Sequence, residues 1–263
     1  MDSAAIKTVT MRAQDGKTVY IECHDALVST AALARQYAEA GYADRYAVFS
    51  TSKIYPETKR TREREERGIY LSIILRPTLF PSQAIFLGHL SAVALTLALE
   101  EHTAKPLGIG WISSLYCGNA KIGGALVEGK LDSFGAYEYL IITFSAAMSS
   151  ENFPPRLADL VKKVFEADNS SVEMLVAKQV INNFMPLYAS CKSPSKFIDT
   201  YRQKFVMRGT KIVYTKKDGK RRRATVLGID NATGALLVDG ADGAVEKIVS
   251  QKSVVIPKRI KIK

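Results

Sequence analysis

Side chains that bind metals or form disulfides are scarce in this sequence. Three cysteines (Cys23, Cys117, Cys191) and three histidines (His24, His89, His102) are scattered over 263 residues without paired spacing. Disulfide frameworks and zinc sites need paired or clustered donors, so neither is expected, and the pattern suits a reducing, cytoplasmic setting. No apolar run approaches the roughly 20 residues that span a bilayer, and residues 1–18 hold no signal-peptide block. No membrane partner is therefore expected. Aromatic residues are nearly missing from the last quarter, where Tyr214 is the only one after Lys211.

The charge is uneven. Residues 201–263 carry 16 Lys or Arg against 5 Asp or Glu, while residues 1–200 balance at 21 of each, so the whole net charge of +11 belongs to the C-terminal part. This places a domain boundary near Phe205, giving units of 1–205 and 206–263. A basic hairpin (Lys216, Lys217, Lys220, Arg221, Arg222, Arg223) and the tail 258–263 have charge for non-specific phosphate binding. They have almost no aromatics for base stacking, so nucleic acid is not the expected partner.

Most of the first unit alternates between strands and helices. Residues 17–23 and 46–50 read as strands. Ser29-Thr30 precedes a helical pattern over 31–40, where a hydroxyl caps the first free amides. Residues 53–68 are charged almost throughout and read as a solvated loop. They include Lys59, Arg60, Arg62, Arg64 and Arg67, interleaved with four glutamates. Ile69–Arg76 is a strong central strand closed by Pro77. Residues 82–100 place Ile85, Leu87, Leu90, Val93, Ala94 and Leu97 at helical spacings. Further helices are expected over 156–167, after the capping box Ser170-x-x-Glu173, and over 195–204. From Gly209 onward, five short strands separated by Asp-Gly and similar turns predict a small barrel.

Residues 121–128, Lys-Ile-Gly-Gly-Ala-Leu-Val-Glu, form the most informative stretch. They read as a buried strand entered by a lysine. A glycine pair inside a strand means that a ligand or another backbone comes very close. Apolar segments at 107–116 and 137–144 flank it, and the three together predict the core of a sheet.

This order of elements resembles the biotin–protein ligases, over about residues 19–256. Residues 121–128 are similar to that family's K-I-x-G-I-L-x-E strand. Phe197, Tyr201-Arg202, Gly209, Gly228-Ile229-Asp230 and Gly234-Ala235-Leu236 resemble its tail. The resemblance implies an α+β fold, a biotin–protein ligase/lipoate ligase-like mixed sheet with helices, followed by a small SH3-like β-barrel. It implies ATP-dependent formation of biotinyl-5′-AMP and transfer of biotin to a lysine of a carboxylase's carrier domain. The cofactors would be ATP, Mg and biotin. The chain would be of the single-function type without a DNA-binding domain, and two copies could pair through their sheets as a homodimer.

Carried over residue by residue, Ser29, Thr30, Trp111, Gly123 and Gly124 would bind biotin. Lys121 would contact the reacting carboxylate and phosphate, and Arg60, Arg62, Arg64 and Arg67 would bind the nucleotide. Three motifs depart from the family. The glycine-rich phosphate loop has only Gly68, K-W-P-N-D becomes Gly110-Trp111-Ile112-Ser113-Ser114, and G-x-G-I-N becomes Thr143-Phe144-Ser145-Ala146-Ala147. Phe144 could intrude on the ligand cavity. These departures leave an active ligase as the first expectation, a pseudoenzyme that binds a ligand or protein without chemistry as the alternative, and a nucleic-acid-associated basic protein as the second alternative.

Overall fold

A computed structural model describes residues 7–58, 61–103, 106–148, 172–216, 218–240, 243–250 and 253–255. The helix expected over 156–167, its successor's cap at Ser170, Arg60 and the basic tail lie outside those residues.

The first unit is built on an eight-stranded mixed sheet. Its strands are β1 (Lys7–Arg12), β2 (Thr18–Leu27), β3 (Tyr46–Tyr55), β4 (Arg64–Leu75), β5 (Leu107–Gly110), β6 (Ser114–Cys117), β7 (Ala120–Leu131) and β8 (Tyr137–Ala147). They lie in the order β1-β2-β3-β4-β8-β7-β6-β5. Only β2 and β3 run parallel, with helix α1 (Thr30–Glu39) as their crossover.

Period-two alternation divides the residues between two faces. Ile69, Leu71 and Ile73 of β4 join Ile142, Phe144 and Ala146 of β8 in the main core. Helices α2 (Leu87–Glu100) and α3 (Val172–Ala189) cover that face. On the opposite face, Val48, Ile74, Tyr139 and Ile141 pack under Ala34 and Ala38 of α1.

Three expectations are corrected. Residues 53–68 are not a loop throughout, because Arg64 to Arg67 pair with Tyr55 to Ser52 and extend the β3–β4 hairpin. The charged side chains are accommodated because the hairpin projects into solvent, and the Arg64 guanidinium stacks 3.9 Å over the Tyr55 ring. The apolar segment 107–116 is a β5–β6 hairpin rather than one strand. Finally, the stretch Pro81–Glu100 is long and apolar enough to cross a membrane by length and composition, but 72% of it is buried in the protein. Its all-round apolar character comes from being enclosed by the sheet, α3 and the second unit.

Helix α4 (Ile198–Lys204) leads into a five-stranded antiparallel sheet: β9 (Lys211–Thr215), β10 (Arg221–Ile229), β11 (Leu236–Asp239), β12 (Val245–Ile248) and β13 (Val254–Val255). Strand β10 pairs with β9 through Thr225 and with β11 from Val226 onward, with a register shift between Val226 and Gly228.

The two units are joined through the Gly234 carbonyl. It accepts hydrogen bonds from the Trp111 indole at 2.8 Å and from His89 Nε2 at 3.0 Å. The His89 ring also lies against Tyr201, whose hydroxyl donates to the Ile112 carbonyl at 2.9 Å. Burial lowers the His89 pKa from its ordinary 6.5 to about 4, so the ring is neutral at pH 7.

Between those two values the unfolded chain binds more protons than the folded one, and stability therefore rises with pH. We expect the contribution of His89 to be complete above pH 6.5 and to fade as pH falls towards 4. The loss is about 3 kcal/mol over that window, measured as a drop in the urea midpoint. His89→Asn should flatten this limb, and an unchanged limb would rule His89 out as its source.

Candidate functional site

The site forms where α1 stops covering the sheet. Strand β2 ends at Leu27, and Ser29 then caps the helix, its hydroxyl accepting from the Ala32 amide at 3.1 Å. Thr30 is buried, and its hydroxyl lies 2.8 Å from Ser72 on β4, which lies 2.9 Å from Thr143 on β8. Along this face the strands change from Ile74 and Ile141 to Tyr70, Ser72, Thr143 and Ser145. The apolar residues lie under the helix, and beyond its N-terminus the hydroxyl-bearing ones begin.

Above that floor is a cavity of about 460 Å³. That volume is in the range of small-molecule sites. The cavity brings together Ser29, Thr30, Lys121, Gly123 and Gly124 from the sequence reading. It adds Lys53, Tyr70, Ser113, Ser114, Thr143 and Ser145.

Lys121 opens β7 from the cavity wall. The residue stays exposed because the cavity is open, yet burial of its ammonium lowers its pKa below the usual lysine value. Strand β7 lies between β8 and β6, so this is not an edge-strand lysine.

The glycine pair is explained by neighbouring backbone. A Cβ on Gly123 would stand 1.9 Å from the Ser145 carbonyl oxygen, and one on Gly124 would stand 2.3 Å from that of Ser113. These glycines let three strands close tightly around the cavity wall.

Phe144 does not enter the cavity. It is fully buried on the other face, its ring 5.3 Å from that of Phe184, because its pleat neighbours Thr143 and Ser145 are the ones that line the site. Trp111 is buried in the junction between the units and is not among the lining residues.

The described arginines also stay outside the cavity lining. Arg62 is exposed on the hairpin, Arg64 pairs with Glu66 at 3.0 Å, and Arg67 pairs with Glu173 on α3 at 2.8 Å. Glu66 also accepts from Tyr70 at 3.2 Å, and burial and that carboxylate together push the Tyr70 phenol well above the usual tyrosine range.

Sequence reasoning missed Lys53 and the hydroxyl floor. The floor had a signal, since Tyr70-x-Ser72 and Thr143-x-Ser145 place polar groups on one face of otherwise apolar strands. Lys53 had none, being one cation at the edge of a charge run.

A cavity bearing cations and hydroxyls, set at the N-terminus of a helix on a mixed sheet, is the candidate site of this α+β protein. Solved structures that share this architecture include biotin protein ligases, and the chain has the biotin protein ligase fold. The ligase from Aquifex aeolicus matches with a TM-score of 0.64 at 18% identity, covering 90% of this chain and 98% of that one. Its complex with biotin and ATP gives 0.65 at 17%, with the same coverage. A biotin protein ligase-like protein of unknown function from a Silicibacter species gives 0.58 at 13%, covering 88% and 94%. No protein-family model and no curated protein sequence matches the chain. At these identities the likeness fixes the fold and leaves the reaction to be argued from the site.

Proposed function

We propose that this protein is a biotin–protein ligase-like enzyme. It forms biotinyl-5′-AMP from biotin and ATP and passes biotin to a lysine of a carboxylase carrier domain. The observation that carries this reading is the meeting of Ser29, Thr30 and Lys121 in one cavity. The hydroxyl end can hydrogen-bond a neutral polar ring, and the ammonium end can hold a carboxylate. During adenylate formation negative charge grows where carboxylate meets phosphate, and a fixed cation there stabilises the transition state more than the ground state. In this reading Lys121 supplies that cation.

Among the described residues no cluster of His, Cys, Asp or Glu could hold a metal ion. In this reading magnesium arrives on the ATP phosphates, its usual manner of binding in such sites. We read the second sheet as the small SH3-like barrel of this fold, and the units as 1–205 and 206–263.

A second reading is supported by the pairing of Arg64 with Glu66 and of Arg67 with Glu173. With these guanidinium groups committed and few glycines to wrap phosphate, the cavity would bind its ligand without adenylating it. Calorimetry separates the two readings. The ligase reading expects saturable biotin binding that tightens at least tenfold with Mg-ATP. Binding unaffected by Mg-ATP would leave only the second reading, and no biotin binding would remove the ligase reading.

A further inference from the structure

The cavity holds two cations and, among its described lining residues, no acid. Lys121 belongs to β7 and Lys53 to β3, strands separated in the sheet by β4 and β8. Their backbones therefore stand three strand spacings apart, roughly 14 Å across the sheet. Register keeps them nearly level, since Lys53 faces Glu66, Gly68 faces Ala147 and Gly123 faces Ala146. They enter the cavity from opposite walls, with Tyr70, Thr143 and Ser145 on the floor between them.

Neither ammonium forms an ion pair within the described residues. The carboxylate opposite Lys53 is taken by Arg64 and the Tyr70 hydroxyl. Lys53 instead rests 4.9 Å from the centre of the Tyr55 ring. Partly desolvated cations without anions carry an electrostatic cost that an anionic ligand offsets.

The geometry points to a ligand with negative charge at both ends, a small dicarboxylate, with one acid group on Lys121 and the second on Lys53. Lys53 is then the specificity-determining residue, because it adds a second point of attachment for an acid group to the one at Lys121. This inference rests on the cavity being the ligand site, but it does not require biotin.

The test is calorimetry of octanoate, octanedioate and biotin against wild type, Lys53→Gln and Lys121→Ala, with thermal melts to confirm folding. On wild type the diacid should bind at least tenfold more tightly than the monoacid. Lys53→Gln should shrink that ratio to within twofold, and Lys121→Ala should weaken both acids. Equal binding of the two acids to wild type, or a ratio unchanged by Lys53→Gln, overturns the inference. Biotin binding with no diacid preference would overturn it and keep the ligase reading. Diacid binding without biotin binding would support it and sink the biotin assignment. Failure of all three ligands would overturn it as well.

Discussion

Replacing Lys121 by alanine is expected to slow adenylate formation by about 10²–10³-fold, the usual effect of removing one group aimed at developing charge. The reaction would be followed as biotin-dependent pyrophosphate release. The fold should survive the change, because Lys121 is exposed near the start of β7 and has no ion pair among the described residues. Melting temperature should therefore stay close to wild type while the rate falls. A variant that keeps the wild-type rate would show that the ammonium takes no part in the chemistry. The depressed lysine pKa adds a pH signature. The rate should decline on the alkaline side as the ammonium loses its proton, beginning below the pH at which an ordinary lysine titrates.

Gly123→Ala is expected to cost about 3 kcal/mol of folding stability, the upper range for overpacking. The added methyl would meet the Ser145 carbonyl oxygen at 1.9 Å and the Ala146 Cα at 2.8 Å, and backbone cannot rotate aside as a side chain can. Strand β8 is crowded from its other neighbour too, since a Cβ on Gly68 would stand 2.3 Å from the Ala146 carbonyl oxygen. Strands β4, β8 and β7 therefore close on one another through glycines on both sides of Ala146. The urea midpoint measures the cost. A loss under about 0.5 kcal/mol, the size of an ordinary surface substitution, would mean that the strands separate easily at this point.

The sequence revealed those parts of the protein whose signals are local. The Ser29 cap, the strand that starts at Lys121 and all five strands of the second sheet follow from neighbouring residues, through capping hydroxyls, alternation and turn glycines. What could not be read was pairing at a distance. Arg64–Arg67 look like solvated loop until β3 is laid beside them, and nothing in that run singles out Lys53 from the other cations. The β5–β6 turn lacks glycine or proline at Trp111-Ile112-Ser113, so the segment read as one strand. Edge strand β1 carries only Val9 and Met11 as its apolar residues, too few to announce it.

Phe144 teaches a different lesson, because its position was derivable. Thr143 and Ser145 are polar residues within an apolar strand and must share a face, and the pleat then sends Phe144 to the other one. Matching the segment to a family motif suggested an intrusion that alternation forbids. Thr143 and Ser145 line the cavity, while Phe144 and Ala146 fill the core behind it. The arginine run differs, since its side chains are tied to carboxylates on the hairpin and on α3. The described arginines Arg62, Arg64 and Arg67 thus stand outside the lining of the cavity.

An acid group of a small ligand is expected to bind at Lys121 in the cavity beside α1. A crystal structure of the protein soaked with biotin would show this. Density is expected between the Ser29–Thr30 turn and β7, with a carboxylate oxygen within about 3 Å of Lys121 Nζ. Ligand bound elsewhere, or bound here with its carboxylate turned away and the ammonium facing solvent, would contradict it.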